Sequence, residues 1–72
     1  MIFFTKYAEN KFDILNKYKV FLTREMVEDV ILKPDKIKKS GKHYFYQKDD
    51  IKVVIKKDKD ILRVITFYPI KN

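Results

Sequence analysis

The sequence predicts a single α+β domain over residues 1–72 with the element order β-α-α-β-β-β-β. Apolar residues in the first half recur at helical spacing, whereas the second half consists of short segments rich in β-branched and aromatic residues. Turn-forming residues separate those segments, and connections this short favour antiparallel neighbours. We therefore expect an antiparallel meander sheet with both helices packed on one of its faces.

The first predicted helix covers 6–18 and follows a short apolar segment at the start of the chain. Thr5 is a suitable N-cap because its hydroxyl can accept a hydrogen bond from the first helical turn. Ala8, Phe12 and Leu15 then recur on one helical stripe. This stripe is expected to face the sheet.

The second predicted helix begins after Thr23, which provides another capping hydroxyl. Leu22 and Val27 flank the cap at the spacing of a hydrophobic staple. Pro34 ends the helix near Lys33, because the residue before a proline disfavours helical geometry.

Four strands are predicted in the second half, each bounded by residues typical of turns. The strands cover 36–39, 43–48, 51–57 and 61–68. The turns are expected at Ser40-Gly41, Asp49-Asp50 and Asp58-Lys59. Two-residue turns fix which residues lie opposite one another, and therefore which residues share a face of the sheet.

The turn positions predict one apolar face and one mixed face. The turn at Asp49-Asp50 sets Phe45 opposite Val54, and the turn at Asp58-Lys59 sets Val54 opposite Arg63. The apolar face, which should meet the helices, carries Tyr44, Tyr46, Ile51, Val53, Ile55, Leu62 and Val64. The opposite face carries His43, Phe45, Gln47, Lys52, Val54, Lys56, Ile61, Arg63, Ile65 and Phe67.

The net charge of +7 lies entirely in the second half of the chain. Residues 1–35 hold six basic and six acidic side chains, whereas 36–72 hold eleven basic and four acidic ones. A charge confined to the strand-forming half indicates a basic face and a polyanionic partner.

Several other kinds of protein are excluded or disfavoured by composition. The chain has no cysteine and one histidine, and it has no glycine-rich phosphate loop or nucleophile elbow, so we expect no metal site and no cofactor. It begins with no signal peptide, and its longest uncharged run, 64–70, is too short to span a bilayer. We therefore expect a cytoplasmic protein that does not associate with membranes.

The mixed face carries the candidate functional residues. Cations among aromatic rings suit single-stranded RNA, because phosphates pair with lysine and arginine while bases stack on rings. The predicted nucleic-acid-binding residues are Lys52, Lys56, Arg63, Phe45 and Phe67. A metal-independent ribonuclease needs a base, a cation and an acid, and His43, Arg63 and Tyr68 are the candidates for those catalytic roles.

Each of these residues also has a purely structural interpretation. Lysines on an open sheet face commonly keep the sheet soluble and prevent edge pairing. A single histidine is more often a surface residue than a catalyst, and Tyr68 can belong to the rim of the core. Phe45 and Phe67 can be covered by a partner chain, since exposed apolar patches often mark interfaces.

Three short segments resemble a family of small prokaryotic domains of unknown function. They are FTKYA at 4–8, LKPDKI at 32–37 and VITFYP at 64–69. That family is similar to BrnT and, more remotely, to the RelE/ParE-type toxins of toxin–antitoxin systems. The resemblance implies an αα-then-meander fold in which toxic members cleave RNA on the open face of the sheet. It also implies an antitoxin that covers this face.

Two positions depart from the family's pattern. The family usually has histidine where Tyr7 stands and arginine where Lys11 stands. Arg63 and Tyr68 occupy positions where toxin-like domains tend to keep functional residues. Any active site would therefore depend on the sheet rather than on the first helix.

Three functions remain open from the sequence. The first is a toxin-like RNA-binding ribonuclease of a toxin–antitoxin system, with RNA and an acidic antitoxin protein as partners. The second is a non-catalytic module of the same fold that binds nucleic acid, another polyanion or an acidic protein. The third is a structural homodimer that uses Phe45, Ile65 and Phe67 as its contact, whereas the first two functions allow a monomer.

Overall fold

The computed structural model describes residues 1–70 and shows an α+β fold with two helices and a five-stranded mixed sheet. The predicted α+β class is therefore confirmed. The last two residues of the predicted domain, 71–72, lie outside the described residues. The elements are β1 (Ile2–Phe4), α1 (Lys6–Lys17), α2 (Arg24–Leu32), β2 (Lys36–Ser40), β3 (His43–Lys48), β4 (Ile51–Asp58) and β5 (Ile61–Pro69).

Both helices begin at the predicted caps. The hydroxyl of Thr5 accepts a hydrogen bond from the backbone N–H of Ala8 at 3.2 Å and donates one to the carbonyl oxygen of Val64 at 2.9 Å. The hydroxyl of Thr23 accepts from the N–H of Met26 at 3.1 Å. The Thr5 cap therefore also attaches the start of α1 to β5, whereas the Thr23 cap is local.

The sheet has the strand order β1-β5-β4-β3-β2. β2 to β5 pair as successive antiparallel neighbours, but β1 pairs with β5 in parallel. The prediction of a wholly antiparallel sheet is therefore wrong. A parallel pair requires a long crossover, and here both helices and three strands separate the two partners.

Three two-residue turns connect the antiparallel strands, and each has a left-handed residue in its first position. These residues are Gly41 (φ 61°), Asp49 (φ 54°) and Lys59 (φ 57°). The turn at Asp49-Asp50 sets Phe45 opposite Val54, as predicted. The last turn is formed by Lys59 and Asp60, one residue later than predicted, so Lys56 and not Val54 lies opposite Arg63.

A β-bulge between Val54 and Ile55 changes the alternation along β5. Before the bulge Val64 lies opposite Ile55, and after it Thr66 lies opposite Val54, so Ile65 is the extra residue. An extra residue exchanges the faces of the residues that follow it. Phe67 consequently points into the core.

The helices cover one face of the sheet. α1 lies over β5 and β1, and α2 lies over β4 and β3. The seven residues predicted for the apolar face all belong to the core or pack against it. In contrast, all five residues of β2 are exposed. Within residues 1–70, neither helix is long and apolar enough to cross a membrane.

Candidate nucleic-acid interface

The sheet face away from the helices carries three rows of residues that pair directly across neighbouring strands. We call these rows together the open face. The His43 row is Ser40, His43, Lys56, Arg63 and Phe3. The Phe45 row is Lys38, Phe45, Val54 and Thr66. The Lys52 row is Lys36, Gln47, Lys52 and Tyr68.

A shallow groove of about 330 Å³ crosses the β2–β3–β4 part of the open face. It is called the first groove below. Its lining comprises three lysines, one aromatic ring, one amide and one hydroxyl, and no carboxylate of residues 1–70 contributes to it: Lys36, Lys38, Lys52, Phe45, Gln47 and Ser40. Within residues 1–70 none of the three lysines forms an ion pair. The groove is therefore a site of uncompensated positive charge around a ring.

On the open face, the Phe45 ring of the first groove lies beside an apolar residue of β4. Phe45 lies directly opposite Val54 and is half-buried. Val54 is only 8% exposed, although it is not part of the core between the sheet and the helices. The open face therefore has a small apolar centre of its own, surrounded by lysines.

The lysines of the groove are accessible because they lie on the face of the sheet away from both helices. Lys36 and Lys38 alternate with Ile37, and all three residues are exposed. A buried lysine without a partner is strongly unfavourable, so charges of this kind are tolerated only where the sheet remains open to solvent. Lys52 reaches the same groove from β4.

Arg63, one of the predicted nucleic-acid-binding residues, lies near both an acidic side chain and an aromatic ring. Its guanidinium lies 3.6 Å from the carboxylate of Asp58 and 5.5 Å from the centre of the Phe3 ring. Asp58 ends β4, one residue before the last turn, and its side chain shares the face of Arg63. Part of the arginine's charge is therefore compensated, and the centre of free positive charge moves to the first groove.

The three predicted catalytic residues lie on the open face but do not converge. His43 and Arg63 share one row with Lys56 between them, so they are separated by two strand spacings, about 10 Å. Tyr68 lies in the Lys52 row, four residues along β4 from the His43 row, or about 13 Å. At the level of the backbone the three residues are therefore spread over the open face rather than gathered at one point.

Four of the five predicted nucleic-acid-binding residues lie on the open face, namely Phe45, Lys52, Lys56 and Arg63. Phe67 does not. It is 0% exposed and its ring centre lies 4.4 Å from that of Phe12 on α1. The expected exposure of Phe67 is wrong because the β-bulge turns it towards the helices, and its ring is not available for stacking on a base.

Sequence reasoning missed Lys36 and Lys38, which form one wall of the first groove. The sequence predicts a turn at Ser40-Gly41, and the structure has it one residue later, at Gly41-Lys42. A two-residue turn over 41–42 sets Lys36 opposite Gln47 and Lys38 opposite Phe45, which assigns both lysines to the open face.

The titration of one ion pair is shifted at the border between α2 and β3. Lys48 donates a hydrogen bond to Asp29, which holds the pKa of that carboxyl below its ordinary value and raises the pKa of Lys48. This pair lies on the helix side of β3. It fixes the helix layer to the sheet without reducing the charge of the first groove.

Acidic and imidazole side chains are scattered over the described part of the chain. Within residues 1–70 no three of them are grouped as a cation site requires. Comparison of the chain with family models, curated proteins and solved structures finds no match. The resemblance to BrnT and RelE/ParE-type toxins stays a prediction from the sequence.

Proposed function

We propose that this protein binds single-stranded RNA on the open face of its sheet, with the first groove as the principal contact. The observation that carries the proposal is a groove with three lysines around Phe45, which among residues 1–70 form no ion pair and have no carboxylate beside them in the lining. Lysines attract phosphates, and an aromatic ring binds the face of any base.

The form of the groove favours a single strand over a duplex. Phe45 lies at the level of the sheet, half-buried between Lys38 and Val54. A base can reach this ring only when it is unstacked from its neighbours and turned outward, as bases in single-stranded regions are. Gln47 and Ser40 add an amide and a hydroxyl that can contact a base edge or a ribose.

The proposal is tested with a fluorescently labelled oligouridylate, measuring anisotropy over a series of salt concentrations. The variant Lys38→Gln/Lys52→Gln removes two groove lysines. We expect roughly tenfold weaker binding and a slope of log affinity against log salt that is smaller by about 1.4.

The matched control is Lys6→Gln/Lys17→Gln, which removes two lysines from the ends of α1. One lies at the helix N-terminus and one in the last turn, so their effects on the helix dipole oppose each other. Equal losses in both variants would show that binding depends only on net charge, and the assignment to the groove would be wrong.

A toxin-like ribonuclease is the second candidate, and the adjacency of His43, Lys56 and Arg63 in one row favours it. An imidazole beside two cations can exchange a proton with a 2′-hydroxyl while the cations hold the phosphate. Such an enzyme would be expected to slow growth when expressed and to be inhibited by an acidic antitoxin protein.

Incubation of labelled RNA with the protein and with His43→Gln separates the two candidates. Cleavage by the unmodified protein that the substitution abolishes would support the ribonuclease. Intact RNA in both samples would rule the ribonuclease out and leave the binding proposal in force.

A further inference from the structure

A second basic depression lies on the opposite side of the same edge of the sheet. It has a volume of about 260 Å³ and is called the second groove. It is lined by Lys39, Gly41, Lys42, Tyr44, Lys57 and also Lys56, which belongs to the His43 row of the open face, and no carboxylate of residues 1–70 contributes to it. Because α2 lies over β3 and β4 and leaves β2 exposed, this part of the helix side of the sheet is open to solvent.

Tyr44 holds two of these lysines over its ring. The ammonium of Lys57 lies 4.3 Å from the ring centre, and that of Lys39 lies 5.5 Å from it. The two ammonium groups are therefore within about 10 Å of each other. Within residues 1–70 neither forms an ion pair, so both charges are available to a polyanion.

Both grooves include residues of the edge strand β2. The even-numbered residues of β2, Lys36 and Lys38, line the first groove, and Lys39 lines the second. Successive side chains of a strand point to opposite faces, so neighbouring lysines of one strand serve both grooves. β2 has no further strand beside it, and a flexible polymer can pass around it from one groove to the other.

We propose that the RNA strand bound in the first groove continues around the β2 edge and places its phosphates in the second groove. This inference rests on the proposed function. The chemistry of the two grooves differs in a way that assigns their roles. In the first groove, the Phe45 ring is available to stack on a base. In the second groove, two ammonium groups already lie near the Tyr44 ring, so this groove would bind phosphates through their charge.

The length of the RNA tests the inference. An oligouridylate of about 4 nucleotides fits the first groove alone, and one of about 12 nucleotides can pass the edge. In Lys39→Gln/Lys57→Gln we expect unchanged binding of the short probe and roughly tenfold weaker binding of the long one. The salt slope for the long probe should fall by about 1.4. Lys6→Gln/Lys17→Gln is again the control.

The outcomes distinguish the inference from the proposed function. If the double substitution weakens both probes equally, or neither, the RNA does not cross the edge and the inference is wrong, while binding in the first groove stands. If the unmodified protein binds neither probe, the proposed function itself is wrong. Both substitutions replace exposed side chains, and far-UV circular dichroism verifies that the variant is folded.

Discussion

The two edges of the sheet differ in what covers them. β1 lies at one edge beneath α1, and its Phe4 is buried in the core. β2 lies at the other edge, and all of its residues are exposed. Both edge strands are hydrogen-bonded to a neighbour, so pairing alone does not determine burial. On the helix side of the sheet, burial follows the placement of the two helices, which lie over β5, β1, β4 and β3.

This difference separates stability from binding. The largest fully buried side chains, such as Phe67 and Ile55, lie beneath the helices. The proposed contacts with RNA lie on the open face and around β2. Substitutions in one region should therefore change one property and leave the other nearly unchanged.

The largest expected effect comes from removing one phenylalanine in each region. Phe67→Ala should reduce the free energy of unfolding by about 3–5 kcal/mol, because a fully buried ring that packs against Phe12 is lost. Phe45→Ala should cost about 1 kcal/mol, because that ring is half-buried, but it should weaken RNA binding. Urea unfolding followed by circular dichroism measures both.

A domain of this size has a total stability of roughly 4–11 kcal/mol, so Phe67→Ala can leave much of the protein unfolded. Phe67→Leu retains most of the apolar volume and provides a folded variant for the same measurement. Equal destabilisation by Phe45→Ala and Phe67→Ala would contradict the comparison, because it would mean that the open face is also covered.

The two helix caps provide an intermediate effect. Thr5→Ala should lower stability by about 2 kcal/mol, because the hydroxyl caps α1 and also donates to the carbonyl of Val64. Thr23→Ala should lower it by about 1 kcal/mol, because it removes an exposed cap alone. Thermal unfolding of the two variants gives the order, and a larger loss at Thr23 would contradict it.

The smallest expected effect on stability comes from the ion pair between Lys48 on β3 and Asp29 on α2. The lowered pKa of Asp29 means that the pair stabilises the fold above the carboxyl's ordinary value of 3.8 and stops doing so as the pH falls through the lowered pKa. The raised pKa of Lys48 means that stabilisation is complete below 10.5 and is lost as the pH rises through the raised value.

Asp29→Asn should therefore lower the melting temperature slightly at neutral pH, and the difference from the unmodified protein should vanish in acid. Melting curves over a series of pH values check this. A difference that persists below the lowered pKa would show that the pair's charge is not its cause.

The features that sequence predicted correctly depend on local interactions. Thr5 and Thr23 cap their helices through hydrogen bonds to backbone groups three residues away. The pairing of β3 with β4 follows from the two-residue turn at Asp49-Asp50 that joins them. In each case the residues that fix the structure are close together in the chain.

The pairing of β4 with β5 could not be predicted in the same way. Residues 56–60, KKDKD, contain no apolar side chain, so hydrophobic burial does not distinguish a turn at Asp58-Lys59 from one at Lys59-Asp60. The β-bulge then depends on packing between β5 and the helices, which the alternation of a single strand does not reveal. The bulge places Phe67 in the core, and the later turn brings Asp58 beside Arg63.

The sequence predicted the residues that β3 and β4 contribute to the candidate site, but not those that β2 contributes. Phe45, Lys52 and Lys56 belong to strands whose apolar residues define a core face, so their own face follows by alternation. β2 contains a single apolar residue, Ile37, and that residue is exposed. Without a buried residue to mark one face, the contribution of Lys36 and Lys38 depended on pairing alone.

The pairing of β1 with β5 also affects how the chain can fold during its synthesis. The hydroxyl of Thr5 and the carbonyl of Val64 are 59 residues apart in sequence, and the strands beside them pair over a similar distance. Contacts this distant close late, because a long loop must be ordered before they form. Until β5 has left the ribosome, β1 therefore has no strand to pair with, and the N-cap of α1 lacks its hydrogen bond to Val64.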